Sequence, residues 1–208
     1  MIETLILFAS LGIFAGLIAG MFGVGGGIIT VPVLVACFIQ YGFEEEIMIH
    51  MAVGTSLGCI VFTGISSAYA HRQKNAINYK FFKPIALGIV IGAFLGALFA
   101  VQLNGNLLKI IIGIFALFVA IQMGINREIV LKERTKKNKE PYFVGTAIGF
   151  TSSILGIGGG IFSVPYLKAS GLPMTSSIGT SAACGIPIAI FGTLGYIISG
   201  INNALLPP

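Results

Sequence analysis

The chain has 208 residues, 56% of them hydrophobic and 9% charged, with a mean hydropathy of +0.98 and a formal net charge of +5. This composition lies outside the range of water-soluble domains and reads as a membrane-embedded protein. Aspartate and tryptophan are absent, and the twelve basic residues and seven glutamates all fall between apolar runs or at their ends, so the charge belongs to loops meeting lipid headgroups and a nucleic-acid surface is excluded.

In chain order the apolar runs cover 4–22, 28–40, 47–70, 84–103, 107–125, 142–155, 161–167 and 176–199. A spanning helix needs about 20 residues, so the second, sixth and seventh runs are too short to cross alone. The first carries no Lys or Arg ahead of it, unlike a secretory leader, and is expected to be mature structure. Two glycine-rich breaks separate short runs from their neighbours, Gly23-Val-Gly-Gly-Gly27 and Gly156-Ile-Gly-Gly-Gly160. Broken helices or re-entrant hairpins are expected there. Cys37, Cys59 and Cys184 show no Cys-x-x-Cys spacing, so neither a metal site nor a disulfide framework is expected.

Self-comparison reveals a duplication. Residues 23–34 match 156–167 at an offset of 133 with eight of twelve positions identical, and Val53-Gly-Thr-Ser-Leu-Gly-Cys59 matches Ile178-Gly-Thr-Ser-Ala-Ala-Cys184 at an offset of 125. The expected fold is therefore an all-α polytopic membrane protein of two homologous repeats, 1–126 and 142–208, joined by a basic loop at 127–141. Carried onward, the second offset sets Pro208 opposite Lys83, leaving no counterpart of 84–103 and 107–125. The expectation is an unfinished second repeat, by C-terminal truncation rather than by helices from a partner.

Loops 71–83 and 126–141 hold four and six basic residues, whereas 41–49 holds three Glu and no base. The positive-inside rule places the first two in the cytoplasm. In the second half the bias reverses, with Lys168 opening the counterpart of 41–49 and 196–208 lacking bases. An inverted repeat is expected, each broken segment making an even number of crossings.

Glycine triplets inside a membrane segment leave peptide groups that lipid cannot satisfy, a backbone tolerated only inside protein or beside a wet cavity. Helices restart just after each triplet, and a helix N-terminus binds anions through free N–H groups and the helix dipole. Gly23, Gly25, Gly26 and Gly27, with Gly156, Gly158, Gly159 and Gly160, are the expected backbone ligands of a small anion; paired broken helices in inverted halves hold substrate this way in secondary transporters. Thr55, Ser56, Thr180 and Ser181 are candidate side-chain donors, weighed against back-bonding within the helix. Cys59 and Cys184 share a face with the threonines and, with the helix-shaping Pro32 and Pro165, are candidate pathway-lining positions. The spacing of four in Gly12/Gly16/Gly20, Gly88/Gly92/Gly96 and Gly145/Gly149 points to helix packing. No Gly-Lys-Ser/Thr follows either triplet, which excludes a P-loop, and no charge lies well inside a run, which disfavours a carboxylate-coupled antiporter. His50 and His71 sit at span ends and are expected at the interface. No enzyme, cofactor or metal is indicated.

At the duplicated Gly-x-Gly-Gly-Gly-x₄-Pro and Gly-Thr-Ser elements, and at 199–207, the sequence resembles the sulfite exporter family, TauE/SafE, over essentially the whole chain. The resemblance implies a multi-pass protein of the cytoplasmic membrane, with seven or eight spans, that exports or facilitates small anions such as sulfite, sulfonates and other organosulfur acids. It fixes neither the anion nor the oligomeric state. The competing expectation is a scaffold or assembly partner in the membrane that moves nothing, its glycines serving packing alone.

Overall fold

The computed structural model describes residues 12–13, 27–125 and 140–201. Seven helices are described: α1 (Gly27–Gln40), α2 (Glu45–Gln73), α3 (Tyr79–Gln102), α4 (Gly105–Ile125), α5 (Glu140–Leu155), α6 (Gly160–Ala169) and α7 (Met174–Gly200). There is no strand among the described residues. Long apolar runs became long helices because lipid leaves the backbone only intrahelical partners. α2, α3, α7 and Gly105–Gln122 of α4 are long and apolar enough to cross a membrane, whereas α1, α5 and α6 are shorter. The first apolar run beyond residues 12–13, the basic loop at 126–139 and the segment 202–208 lie outside the described residues.

Directions follow from close contacts. A Cβ at Gly54 would meet Tyr196, one at Gly64 would meet Ile186, and one at Gly192 would meet Leu57, so α2 and α7 run antiparallel. They carry the two Gly-Thr-Ser elements. α3 lies parallel to α7, with Asn78 beside Thr180 at one end and Ala97 beside Gly195 towards the other. The bundle thus has an end bearing Arg72, Lys74, Lys80 and Lys83, and an opposite end bearing Glu44, Glu45 and Glu46. α5 enters from the basic end beside α3, stops inside the bundle at Leu155, and α6 returns to the start of α7 at the same end. That is a re-entrant hairpin. α1 runs from inside the bundle to the acidic end, where residues 41–44 turn it into α2.

The tightest contact joins α3 and α5. A Cβ on Gly88, Gly92 or Gly96 would fall within 3.0 Å of the carbonyl oxygens of Tyr142, Thr146 and Phe150, and one on Gly145 or Gly149 would do the same at Ile85 and Ile89. Two stripes of small residues at every fourth position let these backbones touch, the packing that spacing predicts. Ser153 adds a hydrogen bond to Ala93 O at 2.7 Å. At Gly12 a Cβ would meet none of the described residues within 4 Å, and Gly16 and Gly20 lie outside the described residues. At the acidic end His50 Nε2 lies 3.2 Å and 3.0 Å from the carbonyls of Ala100 and Leu103, capping α3. Carbonyls only accept, so Nε2 carries the proton.

The glycine contact makes a clear prediction. Gly92→Ala should destabilise the protein by about 1–3 kcal/mol through overpacking, while Gly113→Ala, inside α4 where a Cβ would meet nothing within 4 Å, should leave stability equal or raise it by up to about 1 kcal/mol; reversible unfolding in mixed micelles compares the two.

Candidate functional site

The second glycine break lies against the middle of both long central helices. Ser56, the twelfth of the 29 residues of α2, donates to Gly156 O at 2.9 Å, and a Cβ on Gly185 of α7 would lie 3.2 Å from Gly158 O. Two positions in the break need glycine. Gly156 has φ of +70° and Gly159 has φ of +75°, the left-handed region that costs an L side chain energy. Space is also closed there, since a Cβ on Gly156 would sit 2.9 Å from Val31 Cγ2 and one on Gly159 would collide with Ile188 Cδ1.

The hairpin satisfies much of its own backbone. Ile157 N donates to Ser152 O at 3.0 Å, and Gly159 O accepts from Phe162 N, Ser163 N and Ser163 Oγ at 3.1, 2.9 and 2.9 Å. Gly159 is thereby the N-cap of α6, whose first turn starts at Gly160. The first triplet arrives at the same place. A Cβ on Gly27, the first residue of α1, would strike Gly156 O and lie 2.7 Å from Ile157 Cα. Gly27, the first described residue of α1, therefore lies against the glycine turn that leads into α6, and α6 directs the positive end of its dipole into the bundle there.

Buried hydroxyls surround the junction. Ser181 Oγ pairs with Ser163 Oγ at 2.6 Å, so of the candidate hydroxyls Ser56 and Ser181 reach the break directly or through one partner. Thr55 and Thr180 do not join them. Thr180 Oγ1, fully buried, accepts from Asn78 N at 2.9 Å near the basic end. Thr55 is exposed and borders a cavity of about 650 Å³ near the acidic end, together with His50, Thr193 and Tyr196. Cys184 is buried in the core and Cys59 is exposed. Pro32 and Pro165 lie inside α1 and α6, where each removes one helix donor. Gly23, Gly25 and Gly26 lie outside the described residues. Among the described residues no group of three or more His, Cys, Asp or Glu could hold a metal ion.

Three hydroxyls at the break, Ser152, Ser153 and Ser163, were not singled out by the sequence. Ser163 had a signal, because the offset of 133 aligns it with Thr30, another hydroxyl in the same motif position. The run Thr151-Ser152-Ser153 just ahead of Gly156 was the other, three successive hydroxyls in an apolar segment.

Comparison with known proteins agrees with this picture of a membrane bundle. A family model described as sulfite exporter TauE/SafE matches residues 8–208. The chain is 35% identical to a probable membrane transporter protein of Haemophilus influenzae over 210 residues, covering 100% of this chain and 79% of that protein. It is 31% identical to one of Methanocaldococcus jannaschii, covering 92% and 72%, and 29% identical to one of Bacillus subtilis, covering 96% and 81%. No solved structure matches.

Removing Ser56 Oγ would strand the buried Gly156 carbonyl, so Ser56→Ala should lower unfolding stability by about 1–3 kcal/mol. Thr55→Val on the exposed neighbour should change it little; unfolding in micelles under identical conditions checks the contrast.

Proposed function

The chain belongs to the sulfite exporter TauE/SafE family, and from that premise we propose that it transports small anions such as sulfite, sulfonates or related organosulfur acids, as an exporter or facilitator of the cytoplasmic membrane. The observation that carries this reading is the start of α6 at Gly160 inside the bundle, with Gly27 of α1 packed against the glycine turn just ahead of it. The partial positive charge at that helix start favours an anion without the desolvation cost of a buried Lys or Arg. Glycine exposes the backbone so that a ligand can approach the N–H groups closely.

The antiparallel run of α2 and α7 supports two inverted units, 1–126 and 142–208, around this junction, with the basic loops at 71–83 and 127–141 facing the cytoplasm. Alternating access then has a simple form. The hairpin α5–α6 and the first unit's α1 open in turn towards opposite faces while the anion stays near the midplane.

The test is flux of labelled sulfite, methanesulfonate and acetate into proteoliposomes. The wild-type chain is expected to give saturable flux. Gly158→Ala, whose methyl meets only Ile60 Cγ2 at 3.5 Å, should retain the fold, and Gly158→Val should bring flux down to that of empty vesicles. Folded, inserted protein that moves none of the three anions would overturn transport and leave the scaffold reading.

A further inference from the structure

Seven polar side chains are classed as buried among the described residues: Ser56, Ser152, Ser153, Ser163, Ser177, Thr180 and Ser181. Six have a hydrogen-bond partner. Ser56, Ser153, Ser163 and Ser177 donate to carbonyls, Thr180 accepts from Asn78 N, and Ser181 pairs with Ser163. Ser152 Oγ is fully buried and has none. A buried hydroxyl left unsatisfied costs about 1–3 kcal/mol, which is why native interiors rarely keep one without a use for it.

Its position suggests that use. Ser152 sits in the last turn of α5, and its Oγ lies 3.2 Å from the point where a Cβ on Gly159 would be. The hydroxyl is therefore aimed at the N-cap of α6, a helix of ten residues. Gly159 O receives the first bonds of that helix, from Phe162 N and Ser163 N. The N–H groups of Gly160 and Ile161 come ahead of that first acceptor and have no intrahelical partner. One neutral O–H donor and two N–H donors thus belong to two elements separated by a glycine turn.

We infer that Ser152 is the specificity-determining side chain of an oxyanion site at the N-terminus of α6. An anion with two or more oxygens on one central atom spans the two elements, one oxygen on the N–H groups of Gly160 and Ile161 and a second on Ser152 Oγ. A halide must meet every donor with one centre, whereas an oxyanion meets the two elements with separate oxygens, so the inferred site favours the oxyanion. Ile188 Cδ1 and Ile148 Cγ2 close the Gly159 position even to a methyl, so the anion is admitted only when these side chains turn aside, and only a small head group fits. Ser152 is also suited to a carrier, since a neutral donor holds the anion and then lets it leave. This inference rests on the reading that the break receives the anion.

The experiment uses the full chain in detergent, with sulfite, methanesulfonate and chloride as probes, and reads ligand-dependent thermal stabilisation as an apparent affinity. Sulfite and methanesulfonate are expected to stabilise the wild type saturably, and chloride is not. Ser152→Ala should weaken the apparent affinity about tenfold or more, as for a hydrogen bond to a charged group, while its ligand-free melting temperature stays equal or rises because an orphan hydroxyl has gone. Thr193→Val removes the other buried hydroxyl without a partner among the described residues, remote from α6, and should bind as the wild type does. Wild-type affinity in Ser152→Ala, chloride binding equal to sulfite, or an affinity loss that merely follows a lowered ligand-free melting temperature would each overturn the site. Flux separates the two readings. Sulfite flux with undiminished binding in Ser152→Ala removes the site and leaves transport standing, whereas Ser152-dependent binding in a protein that moves no anion sustains the site and removes transport.

Discussion

Lipid offers a peptide group no hydrogen-bond partner, so a chain that breaks a helix inside the bilayer must answer every exposed N–H and C=O from within the protein. Most of this structure can be read as that answer. The Gly156 carbonyl takes Ser56 Oγ from α2, the Gly159 carbonyl takes the first turn of α6 and Ser163 Oγ, and Ser152 O takes Ile157 N. Two left-handed glycines turn the chain in so little space that valine and isoleucine side chains occupy what a Cβ would need. The start of α6 and Ser152 Oγ keep uncommitted donor capacity.

The same constraint explains the heavy use of glycine away from the break. A re-entrant α5 of 16 residues cannot be held by apolar burial against lipid, because lipid tails are as apolar as its own side chains. It is held by close packing. The stripes Gly88/Gly92/Gly96 and Gly145/Gly149 bring α3 and α5 into backbone contact, and Ser153 fastens the end of α5 to α3 just before the turn. The rigidity of that contact fixes where Gly156 to Gly159 sit relative to α2 and α7, and so fixes the site.

Much of this was legible in the sequence. The runs 28–40, 107–125 and 142–155 became Gly27–Gln40, Gly105–Ile125 and Glu140–Leu155, because run length and glycine placement are local properties that lipid enforces directly. The glycine stripes on α3 and α5 were legible for the same reason, while the stripe Gly12/Gly16/Gly20 lies almost wholly outside the described residues. The fates of the duplicated threonines were not legible. Thr55 and Thr180 occupy identical motif positions, yet one borders a cavity and the other accepts from Asn78 N, since a repeat fixes local conformation and not the neighbours it meets. Ser152 was hidden because its importance lies in a missing partner, which only the assembled bundle reveals.

The central claim is that a small oxyanion is held by the backbone where α6 begins. Amide resonances of glycine-labelled protein, titrated with sulfite and separately with chloride, test it most directly. The account predicts saturable shifts with sulfite at Gly158, Gly159 and Gly160, with Gly113 and Gly171 unmoved and chloride without effect. Shifts confined to glycines outside the break, or an equal response to both anions, would contradict it.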